Sequence, residues 1–462
     1  MAEAPIGLLP LGRATFDTAF AGERLAAMLA RLDATGAAFV GPRRLLLDED
    51  AARAGLAEIT QAGARRILIL QVTFTDAGMA VEAAGLGLPL SIWAVPEPRR
   101  GGRLRLNAFC GLNLAAHALG LRGIHPAWAY GAPETLTDDA LSALLDGSGI
   151  AAPPAPVPAS DDSGAGHRIA AAVAGRRIGR IGAHPPGFDT CAYDPERLGA
   201  LAGVAVEEIA LEALFDTART APAEAASSLR EQAEGELAGL DAVDQTELDR
   251  SLRLKLALDD LRTARGIDAF AIRCWPETFT EYGGAVCGPV SMMGEARTPC
   301  ACEADVYGAL SQMILQEAAG APVFLTDLVD MDAADDTGVI WHCGQAPVSM
   351  RDPETPAVAT IHTNRRMPLL YQFTLKPGRV TLMRISQALG QPKMVLAGAE
   401  MLRRPMAFTG TSGVLRLDRP VAAVLPDLIA GGIEHHMAVA YGDHRAALRE
   451  TAAALGLPVL EL

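Results

Sequence analysis

Arg66-Ile-Leu-Ile-Leu-Gln-Val72 is a continuous apolar run bounded by polar residues. A half-exposed strand would alternate apolar with polar, so a run of this kind predicts a strand covered on both faces. The same texture repeats on either side of it. Ile6-Gly-Leu-Leu-Pro10, Ala37-Ala-Phe-Val-Gly41 and Leu90-Ser-Ile-Trp-Ala-Val95 read as further strands. Ala21 to Leu32 and Ala51 to Ala62 carry helical apolar spacing. Strands alternating with helices predict βαβ units on a parallel sheet.

A second α/β pattern begins at Arg177-Ile-Gly-Arg-Ile-Gly182. It continues through Val204 to Ile209, a helix from Glu247 to Thr263, a strand at Asp268-Ala-Phe-Ala-Ile-Arg273 and a helix from Asp305 to Ala319. Between the two patterns, residues 147–166 are rich in Pro, Gly, Ala and Ser and read as a linker or long exposed loop. From about Ala321 short β-like runs dominate: Val323 to Thr326, Gly338 to Trp341, Val358 to His362, Gln372 to Leu375, Arg379 to Met383 and Met394 to Ala397. They predict a β-rich domain or barrel that ends in a helix near Asp443 to Leu455. The expected division is an N-terminal α/β domain (1–146), the linker (147–166), a second α/β domain (167–320) and a β-rich C-terminal domain (321–462).

Composition narrows the function. The chain has 462 residues, enough for two or three domains, and 50% of them are hydrophobic, enough for ordinary cores. A formal net charge of −15 disfavours nucleic acid and anionic membranes as partners. No basic segment followed by a long apolar stretch opens the chain, so no signal peptide is expected. No apolar run approaches the roughly 18 residues of a membrane span. The seven cysteines are odd in number and scattered, which fits reduced thiols in the cytoplasm. There is no strand–GxGxxG–helix, GxxxxGK[ST] or GxSxG, so no dinucleotide, nucleotide triphosphate or nucleophile-elbow chemistry is expected.

What remains is a late set of possible metal ligands. Glu303 sits in Cys300-Ala-Cys-Glu-Ala-Asp305, Asp327 follows a short apolar run, His342 lies in Trp341-His-Cys-Gly344, and His435 and His436 follow Gly431-Gly432. Carboxylates with one or two imidazoles suit a divalent ion such as Mn²⁺, and a partly open site can polarise a carbonyl. Each has a plainer reading. Glu303 could be a helix-start acid favoured by the helix dipole. Asp327, with its rivals Asp330 and Asp332, could be a loop acid, and His342 a buried hydrogen-bonded histidine. Adjacent residues on an extended segment point oppositely, so only one of His435 and His436 is expected to face a given site. His184, in Gly182-Ala-His-Pro-Pro-Gly187, Arg273, Trp275, Gln345, Arg13 and Asn113 are candidate substrate contacts. An anionic sugar would need arginine, and Arg13, Arg273 and Arg297 are available.

The order of several short words resembles the L-fucose isomerase and L-arabinose isomerase superfamily over nearly the whole chain. They are Gln71-Val-Thr-Phe-Thr-Asp76, Trp93-Ala-Val-Pro-Glu97, Cys110-Gly-Leu-Asn113, His184-Pro-Pro-Gly-Phe188, Cys274-Trp-Pro-Glu277, Cys302-Glu-Ala-Asp305, Trp341-His-Cys-Gly344 and His435-His436. The resemblance implies two Rossmann-like α/β domains followed by a C-terminal β-barrel-type domain. It implies a homo-oligomer, from dimer to hexamer, with active sites between subunits, to which Thr73 to Asp76 or Asn113 of a neighbour would contribute. It implies an aldose–ketose isomerase using Mn²⁺, or another divalent ion such as Mg²⁺ or Co²⁺. Glu303 and Asp327 match the family's acid/base pair and metal ligands, His436 its histidine ligand by distance from Tyr441-Gly442, and His342 a further ligand of the arabinose branch. The chain is shorter than typical fucose isomerases and lacks a match to their full C-terminal domain. Relatives also act on sulfonated sugars such as sulfoquinovose, converting it to sulfofructose. A non-catalytic sugar-binding relative and a metal-dependent epimerase or aldolase are the rivals.

Overall fold

A computed structural model describes residues 5–160 and 163–462. Residues 161 and 162 of the expected linker, and the first four of the chain, lie outside the described residues.

The apolar run at Arg66 is the centre of a five-stranded parallel sheet. Its strands are β1 (Ile6–Leu11), β2 (Phe39–Val40), β3 (Arg66–Gln71), β4 (Leu90–Ala94) and β5 (Ala127–Tyr130), in the order β2-β1-β3-β4-β5. Leu68, Ile69 and Leu70 are fully buried, as a strand covered on both faces requires. A second parallel sheet contains β6 (Arg177–Ile181), β7 (Ala205–Ile209), β8 (Ala269–Ile272) and β9 (Cys300–Ala301), in the order β7-β6-β8-β9.

The remaining strands are β10 (Phe324–Asp332), β11 (Thr337–His342), β12 (Val358–Thr360), β13 (Leu370–Thr374), β14 (Gly378–Ser386), β15 (Lys393–Leu402), β16 (Thr411–Leu417), β17 (His436–Tyr441) and β18 (Val459–Glu461). They form one large mixed sheet, ordered β12-β13-β16-β11-β10-β17-β14-β15-β18, with an additional β15–β16 pairing. The β-rich region is thus a large mixed sheet, and the additional pairing joins β15 back to β16 across the strands between them. Its strands are mostly antiparallel, except that β13–β16 and β15–β18 run parallel.

Three local readings change. Asp327 lies inside β10 and not in a loop, because the strand continues to Asp332 through a register shift near Leu328. Glu303 is not the acid that starts the helix. It occupies a short 3₁₀ turn with φ 56°, and Asp305 caps the helix Val306–Ala319 by accepting from Gly308 N at 2.8 Å. β16 and β17 are strands that the short-run pattern did not single out. Part of the expected linker docks on the large sheet, where Val157 bridges to Val459 of β18.

Polar contacts tie the first sheet to the large one. Arg99 pairs with Asp330 of β10 at 2.6 Å, and Tyr130 Oη of β5 donates to the same carboxylate at 2.5 Å. Glu97 is buried and accepts from the backbone N–H groups of Arg105, Leu106 and Asn107 at 2.6 to 2.9 Å. Burial raises its pKa, and the three N–H donors act against that rise. No helix among the described residues is long and apolar enough to cross a membrane.

Candidate metal centre and sugar cleft

Three neighbouring strands of the large sheet supply the heart of the site. Asp327 on β10 lies directly opposite His436 on β17, so both side chains leave the same face. His342 ends β11, on the other flank of β10. Glu303 approaches from the turn that follows β9 in the second sheet. The left-handed backbone at Glu303 is uncommon for a residue with a side chain and marks a held position.

The donor atoms converge. His436 Nε2 lies 3.3 Å from Asp327 Oδ1 and 3.7 Å from Glu303 Oε2. Two ligands bound at about 2.1 Å with angles of 90 to 110° stand about 3.0 to 3.4 Å apart, so this spacing suits a small divalent ion. Ligand atoms of Asp327, His342 and His436 all lie within 4.8 Å of one another, as do those of Glu303, His435 and His436. Asp327 Oδ1 and His436 Nε2 are buried with no hydrogen-bond partner. Buried acceptors without donors are costly unless a cation satisfies them. The residues present therefore fit a metal ion.

A further set of residues orients these ligands. His436 Nδ1 donates to Asp305 Oδ2 at 2.9 Å, which leaves the Nε2 lone pair facing Asp327. Asp305 is itself gripped by both terminal nitrogens of Arg384, with Nη2 to Oδ1 at 3.0 Å. Both side chains of this pair are 0% exposed. Burial opposes the charge on Asp305, yet Arg384 and His436 hold its carboxyl well below the usual range. Burial likewise opposes ionisation of Asp327, but His342 and His436 bring it down to about 2. For Glu303, burial is outweighed by the hydrogen bond and charge of His435 and the charge of His436, and its pKa is lowered. His436 is pushed well above its ordinary value, against burial, by Asp305 and Asp327. In the metal-free chain a proton there stands in the cation's place.

His342 is a less straightforward ligand. Cys343 N donates to its Nδ1 at 2.9 Å, so the neutral ring carries its proton on Nε2. Ligation through Nε2 requires the other tautomer. Burial lowers the pKa of this ring, which keeps it neutral.

Both adjacent histidines reach the site, contrary to the expectation of one. His435 Nε2 contacts Glu303 Oε2 at 3.1 Å. The alternation rule fails because β17 begins only at His436, and the segment before it turns through Gly432 at φ 57°.

A cleft of about 780 Å³, including its open mouth, lies in front of these groups. Glu303, Asp327, His342 and His435 line it together with Arg13, Trp275 and Gln345. Residues just past β1, β8 and β9 contribute to its walls, in keeping with ligand sites at the carboxyl ends of parallel strands. Trp275 Nε1 donates to Glu303 Oε1 at 3.0 Å. Gln345 Nε2 reaches Cys302 Sγ at 3.4 Å.

His184, Arg273, Asn113 and Arg297 do not line this cleft. Arg273 is occupied by Glu277 at 2.6 and 2.7 Å, and Asn113 is buried in the helix Ala108–Gly120. His184 is partly buried after β6. The Thr73–Asp76 segment, expected to act on a neighbouring subunit, places Phe74 on the cleft of its own chain.

Sequence reasoning missed Arg384, Asn107, His362 and Arg365. Arg384 had a signal, a lone charge inside the apolar strand Val380 to Ile385. The other three sit in loops or at a helix start and carry no periodicity.

Residues 7–146 match the fucose/sulfoquinovose isomerase N-terminal domain, and residues 370–462 match the L-fucose isomerase C-terminal domain. A sulfoquinovose isomerase of Alkalicoccus urumqiensis is 30% identical over 461 residues, covering 98% of each chain. The chain belongs to the fucose/sulfoquinovose isomerase family. A sulfoquinovose isomerase of Priestia aryabhattai is 30% identical over 94% of each chain, and one of Clostridium sp. is 31% identical over 96% of each. Fucose and sulfoquinovose isomerases are aldose–ketose isomerases, and the chain is an enzyme of that class.

Proposed function

We propose that this protein is a metal-dependent aldose–ketose isomerase whose substrate is sulfoquinovose, converted to sulfofructose through a cis-enediolate. The observation that carries the metal is the set of buried, unpartnered acceptors at Asp327 and His436 beside Glu303. The relatives' activity favours the sulfonated sugar over an unsubstituted one. Glu303, Asp327 and His436 would hold the ion, with His342 a fourth ligand only after a change of tautomer. A bound divalent ion, Mn²⁺ by family resemblance, would polarise the sugar carbonyl and stabilise the neighbouring oxyanion.

The chain's own groups carry the protons. Glu303 and Asp327 form the acid/base pair: one takes the proton from C2 and returns one at C1, while the other moves the hydroxyl proton from O2 to O1, so that the aldehyde becomes an alcohol and the C2 alcohol a ketone. Both are ionised at neutral pH, so each begins as a base. Trp275 fixes the orientation of Glu303 through Oε1. His435 holds the other oxygen. The cleft wall at Phe74 and Trp341 limits water around the reacting carbons. The four-part domain division, a homo-oligomer of two to six subunits with shared sites, and a cytoplasmic location complete the reading. The seven free cysteines support the last.

The test is isomerisation in D₂O. Metal-stripped protein restored with Mn²⁺ is incubated with sulfoquinovose, L-fucose, D-arabinose and L-arabinose and followed by NMR. Metal-dependent ketose formation with deuterium at the exchanged carbon is expected for sulfoquinovose. Firm Mn²⁺ binding without exchange on any sugar would leave a binding protein or a different enediolate reaction.

A further inference from the structure

Trp275 carries a second feature besides its bond to Glu303. The guanidinium carbons of Arg13 and Arg365 lie 5.6 and 5.5 Å from its ring centroid. They are therefore no more than about 11 Å apart, at the same wall of the cleft. Arg13 is paired with Asp76. Among the described residues, the Arg365 side chain has no carboxylate or other hydrogen-bond partner. It is nevertheless half-buried, and desolvation with the nearby Arg13 charge lowers its pKa. A half-buried guanidinium without an anion, next to a second one, is a cost that the fold bears for a ligand or not at all.

The segment that presents Arg365 is built. His362 Nδ1 accepts from the backbone N–H groups of Asn364 and Arg365 at 3.2 Å each. Asn364 Oδ1 accepts from Arg103 Nε at 3.0 Å. Arg366 N returns to His362 O at 2.7 Å, closing the turn. His362, Asn364 and Arg365 all face the cleft.

We propose that Arg365, assisted by Arg13 across Trp275, is an anion-binding subsite that receives a sulfonate or phosphate at the end of the sugar remote from the carbonyl. One indole ring separates this subsite from Glu303, so a single monosaccharide spans both. Guanidinium groups match the tetrahedral oxygens of either anion in a two-pronged fork. The subsite makes the terminal charge the feature by which substrates are selected. The proposal rests on the isomerase reading for the orientation of the sugar, and not for the anion itself.

The experiment uses the full chain with Mn²⁺ and three probes: 6-sulfonated glucose, glucose 6-phosphate and glucose. Binding is measured by calorimetry and turnover as kcat/KM, for the wild type, Arg365→Gln and Arg365→Lys. The wild type is expected to bind a charged sugar at least about tenfold more tightly than glucose, and Arg365→Gln to reduce that preference about 10- to 100-fold, the worth of a charge-assisted hydrogen bond. Arg365→Lys keeps the charge without the fork and recovers part of it. Preference for the sulfonate or for the phosphate supports the subsite and names its source. Equal binding of glucose, a preference untouched in both variants, or no sugar binding at all overturns it. Tight binding of the charged sugar without ketose formation supports the subsite while refuting the isomerase reading.

Discussion

Replacing Asp305 by asparagine tests whether the metal centre is oriented from behind. Asp305 touches no cleft surface and is fully buried. Its carboxylate accepts from His436 Nδ1, pairs with Arg384 and caps the helix Val306–Ala319. The amide keeps the shape and one acceptor oxygen but leaves buried Arg384 without its directly bonded counter-charge, with only the Glu434 carboxylate acting on it from nearby. Breaking a buried ion pair from one side costs about 3–5 kcal/mol. Loss of a carboxylate behind a metal-ligating histidine lowers metal affinity about 10- to 100-fold. The two effects separate experimentally. Urea unfolding of the metal-free protein reads the first, and Mn²⁺ calorimetry of the folded protein reads the second. A second variant, Arg384→Met with Asp305→Leu, removes both charges. It is expected to recover most of the stability and none of the metal affinity. Unchanged Mn²⁺ affinity in Asp305→Asn would refute the argument that this carboxylate sets the His436 tautomer. Unchanged unfolding would refute the reading of the pair with Arg384.

Gly308→Ala should resemble Asp305→Asn in kind, since a Cβ there would meet Asp305 Oδ2 at 2.6 Å. Alanine ordinarily favours a helix interior over glycine by about 1 kcal/mol, so a fall in melting temperature and in Mn²⁺ affinity is the distinguishing sign. Glu303→Gln should lower kcat by at least about a hundredfold, the usual worth of a positioned acid or base, with less effect on unfolding; a variant of near-normal kcat would remove Glu303 from the chemistry. Removing metal with a chelator should abolish turnover, and Mn²⁺ at a hundred times its Kd should restore about 2.7 kcal/mol of stability, read as a rise in melting temperature. His362 is half-buried on the cleft and neutral, with its pKa lowered from 6.5 to about 3 by desolvation and then by Arg365. The unfolded ring therefore takes a proton first as pH falls below 6.5, and this site removes up to about 1.4 kcal/mol per pH unit until about pH 3. Urea midpoints between pH 6.5 and 4 should fall more steeply for the wild type than for His362→Asn.

Local patterning was a sound guide wherever one segment settles its own state. The run at Arg66 had to be a strand with both faces covered, because apolar residues in succession leave no polar face for water. Glu303, Asp327 and the two histidines were visible because carboxylates and imidazoles stand out in an apolar chain whatever the fold does. What the chain by itself did not determine was which of these side chains meet. Asp305 and Glu303 are two residues apart, yet one turn at φ 56° sends Glu303 into the cleft and Asp305 behind His436. No periodicity encodes that turn. His435 and His436 both turn toward Glu303 because β17 starts between them, where His436 pairs with Asp327 of β10. Nothing in the sequence singles out Arg365; only the folded turn around His362 brings it over Trp275, from a segment about ninety residues away. Segment identity follows from the residues within each segment, whereas a site is made of contacts between segments, and those are decided by tertiary packing.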